Sequence, residues 1–268
     1  MANDRETECH DLVARVLNRQ ESLNAMEALD AALDPASSAI ESEEYASTVL
    51  AFDTNVFLKL TNHTKSADII DFLRTSFSGH ALLPGQVIQE FWNNLSAIET
   101  LAASIKKHAE NLKKEVEKVD PGYGDFAVRL RELMEEFQLS YGYLYDESLL
   151  RKLKVVVNLL SEKAYVPYCS RNDLSRTAAT RKRTKTPPGF KDELDGDFFV
   201  WADLLLGVAT LSRQGSSVTN VAFVTNDAKP DWTRNGIPHP ILSAELKAVC
   251  GARLQIWSLE KLATIVSQ

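Results

Sequence analysis

Short β-branched apolar runs alternate along the chain with stretches whose apolar residues return every three or four positions, the signatures of buried strands and amphipathic helices. TVLAF (48–52), HALLPG (80–85), residues 218–224 and Ala252–Trp257 are of the first kind. Runs without polar alternation belong in the centre of a parallel sheet, where both faces are covered. Helical spacing covers 10–33 through Leu12, Val13, Val16, Leu17, Leu23, Met26 and Leu29, and recurs over Ser66–Phe77, Asp197–Leu211 and Ile241–Val249. Ser258 is placed to cap a last helix over LEKLATIVS. Between 95 and 163 the positions Ile98, Leu101, Ile105, Leu112, then Phe126, Leu130, Leu133, Phe137, then Leu149 to Leu160 predict three helices, interrupted by the turn signal DPGYGD (120–125). Strand and helix alternation with this helical insertion predicts a three-layer α/β/α sandwich around a central, mostly parallel sheet.

This pattern divides the chain into an acidic helical N-terminal extension (1–47) and a main domain (48–268). The main domain carries the helical arm (95–163) and a basic stretch (164–191). Within that stretch, 168–191 has little periodicity and contains Pro187-Pro188-Gly189, so it predicts an exposed irregular loop.

Composition narrows the function classes. With 44% hydrophobic and 25% charged residues among 268, the chain has the material for one sizeable core plus an appendage. Its three cysteines, Cys9, Cys169 and Cys250, are odd in number and show no CxxC spacing, so neither a disulfide framework nor a structural zinc site is indicated. The first residues lack a basic segment followed by an apolar one, and no apolar run reaches membrane-spanning length, which makes the cytoplasm the expected compartment. The net charge of −7 hides an asymmetry: residues 1–48 hold eleven acids against three bases, and 163–191 hold eight bases against the single acid Asp173. Such blocks are either solvated faces or, for the basic one, a phosphate-contacting arm. In the second case Arg176, Arg181, Lys182, Arg183 and Lys185, with Lys229, are the candidate nucleic-acid contacts, and the acidic segment could lie against them.

Four acids stand where strands give way to helices or turns: Asp53 after TVLAF, Glu90 early in the helix from Gln86, Asp197 at a helix start, and Asp227 after VAFVTN. In a parallel sheet such positions emerge at the carboxyl ends of the strands, where open α/β sheets build their sites. Carboxylates converging there suit hard divalent cations, Mg²⁺ or Mn²⁺, and no His or Cys accompanies them as zinc would require. Taken singly, each acid also has a structural reading: Asp53 as a turn former, Glu90 as a helix-dipole partner, Asp197 as a cap that would leave Asp192, Asp195 or Asp203 as the ligand. Asp231 is a second candidate beside Asp227. His63, His80, His108 and His239 are scattered, and no GxSxG, P-loop or GxGxxG occurs.

Taken together, the motifs are recognisable. Asp53-Thr54-Asn55-Val56, Leu83-Pro84 with Val87, Glu90-Phe91 and Asn93, Gly196-Asp197 with Trp201, and Thr225-Asn226-Asp227 with Lys229 and Asp231-Trp232 follow one another over residues 48–257. In this order they resemble the PIN-domain nucleases, specifically a PIN-like branch found in bacterial proteins. The resemblance implies that Asp53, Glu90, Asp197 and Asp227 are the catalytic, metal-binding acids, with Thr54, Asn55, Thr225 and Asn226 orienting them. It implies a metal-dependent endonuclease, RNA being the favoured substrate, of the kind used as a toxin or anti-phage effector. Such an effector would be held silent by a regulatory protein docked on the helical arm, and the family often pairs through helices into homo-oligomers. A catalytically silent nucleic-acid-binding or scaffold protein on the same fold is the alternative. The chain departs from the branch in having Asn94 where an Arg is usual and Thr233 where a second aromatic is usual. The first change removes a phosphate-binding cation.

Overall fold

The computed structural model describes residues 2–33, 40–60, 63–116, 118, 125–141, 148–227 and 229–267. Two compact units emerge, one from residues 1–90 with 158–268 and the other from 91–157.

In the first unit, α1 (Ala2–Leu17) and α2 (Ala25–Leu33) precede β1 (Thr48–Phe52), α3 (Thr54–Leu60), α4 (Ser66–Asp71) and β2 (His80–Leu82). After α5 (Gly85–Val116), α6 (Phe126–Tyr141) and α7 (Ser148–Lys163) come β3 (Ala164–Tyr165), α8 (Arg171–Arg183), α9 (Gly196–Arg213) and β4 (Asn220–Val224). A hairpin of β5 (Thr233–Arg234) and β6 (Ile237–Pro238) leads to α10 (Pro240–Cys250), β7 (Arg253–Trp257) and α11 (Leu259–Val266). The five-stranded sheet has the order β3-β2-β1-β4-β7 and every pair in it is parallel. The all-apolar runs take its centre: all five residues of β1 and all five of β4 are buried.

Helix α9 is apolar nearly all round, and twelve of its residues are buried, as expected of a helix with core on every side. It lies directly on the sheet through Gly207, where a Cβ would come within 2.3 Å of Leu82 Cδ1. The acidic N-terminal segment is built into this unit, because Cys9, Val13, Val16 and Leu17 of α1 are buried and α1 packs on α9 and α10. Its acids pair away from the basic stretch: Glu8 with Arg213, Glu27 with Lys247 and Glu44 with Arg253. On α2 the predicted apolar positions Met26 and Leu29 face solvent. No helix among the described residues is long and apolar enough to cross a membrane.

The second unit is helical, as the spacing predicts, with the remainder of α5, α6 and the start of α7. Val116, Leu153 and Val156 are buried, while Leu112, Phe126, Val128 and Leu133 are exposed. Of the predicted turn DPGYGD, residues 120–124 lie outside the described ones.

Residues 168–191 correct the sequence expectation, because Arg171–Arg183 form α8 rather than a loop. Ser170 caps the helix by accepting from the Asp173 amide, and the buried positions Leu174, Thr177, Ala178 and Arg181 follow helical spacing. Only one of the four is a large apolar residue, so the composition conceals the buried face. Arg181 can be buried because Glu245 of α10 accepts from both of its terminal nitrogens, at 2.7 and 3.2 Å. Glu245 also accepts from Trp201 Nε1 at 2.7 Å and pairs with Arg19 at 2.9 Å, so one carboxylate ties α8, α9, α10 and the end of α1 together. Replacing Glu245 by Gln strands Arg181 in the core, and urea unfolding is expected to register a loss of roughly 3–5 kcal/mol.

Candidate metal centre

The register of the two central strands builds one side of the site. Phe52 is level with Val224, so Asp53 and Thr225 leave the sheet side by side, and the Asp53 amide donates to the Val224 carbonyl at 3.0 Å. The Asp53 carboxylate accepts from the Thr54 amide at 2.7 Å on one oxygen, and from Asn55 Nδ2 at 2.5 Å and the Thr225 hydroxyl at 2.6 Å on the other. Asn55 Oδ1 accepts from the Asn226 amide, and Asn226 Oδ1 accepts from the Leu259 amide, both at 3.0 Å. Thr54, Asn55, Thr225 and Asn226 thus pin the two strand ends to each other and fix the direction of Asp53.

Glu90 joins them from the first turns of α5. Its Oε2 accepts from the Thr54 hydroxyl at 3.0 Å and its Oε1 from Gln86 Nε2 at 3.0 Å. Behind it, Asp203 is fully buried and used for scaffolding. It receives both terminal nitrogens of Arg171, at 2.7 and 2.9 Å, and the amides of Cys169 and Gln86, each at 2.8 Å. Those bonds start α5 at a fixed place and remove Asp203 from the candidate ligands. Gly196 allows Glu90 to approach the beginning of α9, since a Cβ there would stand 2.4 Å from Glu90 Oε1.

Asp197 and Asp227 are joined through Lys229. The Lys229 ammonium lies 2.9 Å from Asp227, 3.3 Å from Asp197 and 2.9 Å from Asp192. Asp227 is fixed further by its amide on the Thr225 hydroxyl and by the Lys229 amide on its Oδ1, both at 2.9 Å. Asp197 Oδ2 accepts from Trp232 Nε1 at 2.9 Å. Asp231 is fully buried, with Oδ2 accepting from the Gly189 amide at 2.9 Å and Oδ1 without a hydrogen-bond partner among the described residues. Among the described residues, the three acids with ligand oxygens all within 4.8 Å of one another are Asp192, Asp197 and Asp231. Sequence reading named Asp192 and Asp231 only as alternatives. Nothing local marks them, because Asp231 owes its burial to folding and Asp192 its place to a loop that returns beside α9.

The candidate phosphate contacts divide. Arg176, Arg183 and Lys185 are exposed. Arg181 is a core ion pair, Lys182 is engaged with Asp195 at 3.3 Å, and Lys229 is held among the acids, so the reading of Arg181 as a surface contact is corrected by its burial. Trp201, Trp232 and Trp257 are buried, and Trp92 is exposed.

Electrostatics follows from crowding like charges in a partly closed pocket. Burial pushes the Asp53 carboxyl up to about 6, with the charges of Glu90 and Asp227 adding to the rise against the Thr225 and Thr54 hydrogen bonds. Burial and a hydrogen bond with Asp192 push Asp197 up to about 7. Asp192 is lowered, its own burial being outweighed by hydrogen bonds from Asp197 and Lys229. Lys229 is raised, its burial outweighed by Asp192 and Asp227.

A parallel sheet flanked by helices, with hydrogen-bonded carboxylates at the carboxyl ends of its central strands, is consistent with a PIN-like α/β/α fold. A family model described as a PIN-like domain matches residues 49–163 and 141–237, and the chain belongs to that family. No curated protein and no solved structure matches the chain.

The raised carboxyls set a sign for pH dependence. The folded state binds these two protons more tightly than the unfolded chain, whose reference value is 3.8, so it loses stability as pH rises from about 4 to about 7. Thermal melts of metal-free protein should therefore fall across that window, and Asp53→Asn should flatten the fall. Gly196→Ala should weaken Mn²⁺ binding with little change in melting temperature, since the added methyl is crowded by the end of the Glu90 side chain and otherwise makes only an ordinary contact with Gln86 Nε2.

Proposed function

We propose that this chain is a metal-dependent endonuclease that hydrolyses phosphodiester bonds, with RNA as its preferred substrate. The reading is supported by two linked pairs of acids in a PIN-like domain, Asp53 with Glu90 through Thr54 and Asp197 with Asp227 through Lys229.

The donor set fits a hard divalent cation, Mg²⁺ or Mn²⁺. The side chains of Asp53, Glu90, Asp197 and Asp227 offer only carboxylate oxygens, and in the adjoining group of Asp192, Asp197 and Asp231 the described residues give the buried Asp231 Oδ1 no hydrogen-bond partner. Asp53, Glu90, Asp197 and Asp227 would hold it. Such a cation, when bound, supplies charge neutralisation at the phosphate and activation of a water nucleophile.

The chain's own residues supply the remainder. Thr54 links the carboxylates of Asp53 and Glu90 through its amide and hydroxyl, so the two move as one unit. Asn55 and Thr225 both donate to one Asp53 oxygen, which leaves the other, shared only with the Thr54 amide, less encumbered. Arg176, Arg183 and Lys185 offer exposed cations for the nucleic-acid backbone, giving the salt sensitivity expected of phosphate contacts. The helical arm would receive a regulatory protein in a cytoplasmic toxin or anti-phage effector. Its exposed Leu112, Phe126, Val128 and Leu133 support a protein partner there.

Cleavage of labelled single-stranded RNA and DNA with Mn²⁺, Mg²⁺ or EDTA tests the reading. Wild type should cut RNA faster than DNA and lose activity in EDTA. Asp53→Asn should lose more than the roughly 10–100-fold typical of removing a ligand's hydrogen-bond partner, while keeping its fold. Wild-type rates in Asp53→Asn would refute the assignment. Binding of nucleic acid without turnover, with Mn²⁺ bound, would favour the silent binding protein instead.

A further inference from the structure

We propose that a cavity along the last strand of the sheet, β7, binds a small aliphatic acid that carries an amide, of the N-acyl amino acid kind. The cavity, about 590 Å³, opens between α2, the β5–β6 hairpin, α10 and β7, a size ordinary for small-molecule sites. None of the acids at the strand ends lines it, and the proposal does not rest on the metal-dependent reading.

The backbone of β7 supplies the first argument. Every residue from Gly251 to Ile256 lines the cavity, although successive strand side chains point to opposite faces, so the cavity runs along the edge of β7 rather than over one face. In a parallel ladder, alternate residues bond to alternate sides. The Arg253 amide donates to the Thr219 carbonyl at 2.9 Å, and the Trp257 carbonyl accepts from the Thr225 amide at 2.8 Å, so Arg253, Gln255 and Trp257 serve the β4 side. Leu254 and Ile256 turn their amides and carbonyls the other way. Among the described residues, no strand and no backbone group bonds to them from there. Donors and acceptors alternating along a strand edge are complementary to an amide.

The side chains define the rest of the ligand. Ala28, Ala31 and Ala32 of α2 line the cavity with Ile237 and Pro238, and no aromatic ring lines it among the described residues. Such walls suit an aliphatic body and offer a nucleobase nothing to stack on. Three cations, Lys247, Arg253 and Lys261, face one acid, Glu27. Glu27 pairs with Lys247, and Glu44, outside the cavity, stands 3.7 Å from Arg253. With both acids counted, one positive charge remains, which matches a single carboxylate. Lys261 is the cation assigned to it. Its ammonium lies 5.4 Å from the Trp257 ring centroid and burial lowers its pKa, so a carboxylate alongside would favour its charged form.

The test is binding of N-hexanoyl-leucine, its methyl ester and AMP to the full chain, for wild type, Ala32→Phe and Lys261→Met. Isothermal titration gives the affinity, and the amide resonances of Leu254 and Ile256 report the place. The acid should bind wild type with a Kd below about 1 mM and shift both resonances, and the ester should bind about tenfold more weakly. Ala32→Phe, which fills the cavity from a half-buried position on α2, should abolish binding while keeping the fold. Lys261→Met should weaken the acid about tenfold and leave the ester unchanged. Absence of binding to wild type at about 10 mM acid, or binding that survives Ala32→Phe, overturns the site. Equal affinity for acid and ester, no loss in a folded Lys261→Met, or a preference for AMP overturns the ligand class. Should Lys261→Met fail to fold, the ratio of acid to ester affinity in wild type decides the role of charge.

Discussion

Carboxylates repel one another, and this chain brings six of them to one end of a parallel sheet. Asp53, Glu90, Asp192, Asp197, Asp227 and Asp231 are partly or fully withdrawn from water, where like charges are felt over longer distances than on an open surface. The surrounding structure is organised around that constraint. Hydroxyl and amide donors from Thr54, Asn55 and Thr225 converge on Asp53, Lys229 reaches three of the acids, and the Trp232 ring nitrogen serves Asp197. What these donors leave unsatisfied, above all Asp231 Oδ1, is the structural argument for a cation.

Buried ion pairs away from the site make this crowding bearable for the fold. Asp203 with Arg171 anchors the start of α5 and so places Gln86 and Glu90, and Gln86 is itself within 3.3 Å of Arg171. Glu245 with Arg181 and Arg19 holds α8 against α10 and stabilises the flank of α9, whose first turn carries Asp197. Breaking either pair would leave a charge in the core, so each is a strong constraint on geometry even if its net contribution to stability is small. The site's acids are therefore positioned by other charges, two layers deep.

Much of this was legible in the sequence, and the division is physical. β1 and β4 are runs without polar alternation, which fit only a sheet covered on both faces, and an acid at the end of such a run emerges at the carboxyl end of the sheet. The positions of Asp53 and Asp227 follow from that pattern, whereas their reading as ligands rather than turn formers rests on the four motifs taken together. α8 was illegible because its buried face holds Arg181, whose burial depends on a carboxylate 64 residues away in sequence. Asp231 was legible as an acid but not as a buried one, since its environment is made by Gly189 and the turn around it. Lys229 reads as a phosphate contact by charge, and only the folded arrangement of Asp192, Asp197 and Asp227 shows that its ammonium is already engaged. The hairpin of β5 and β6 turns at Asn235-Gly236, both with positive φ, a signal present in the sequence but small beside the apolar runs.

The central claim is that this acidic end of the sheet exists to hold divalent cations. Anomalous diffraction at the manganese edge, from crystals grown with Mn²⁺, addresses it without relying on any substrate. The expected map has its strongest peak bounded by Asp53, Glu90, Asp197 and Asp227. A map without anomalous density among these carboxylates at saturating Mn²⁺, with Lys229 still spanning Asp192, Asp197 and Asp227, would contradict the account.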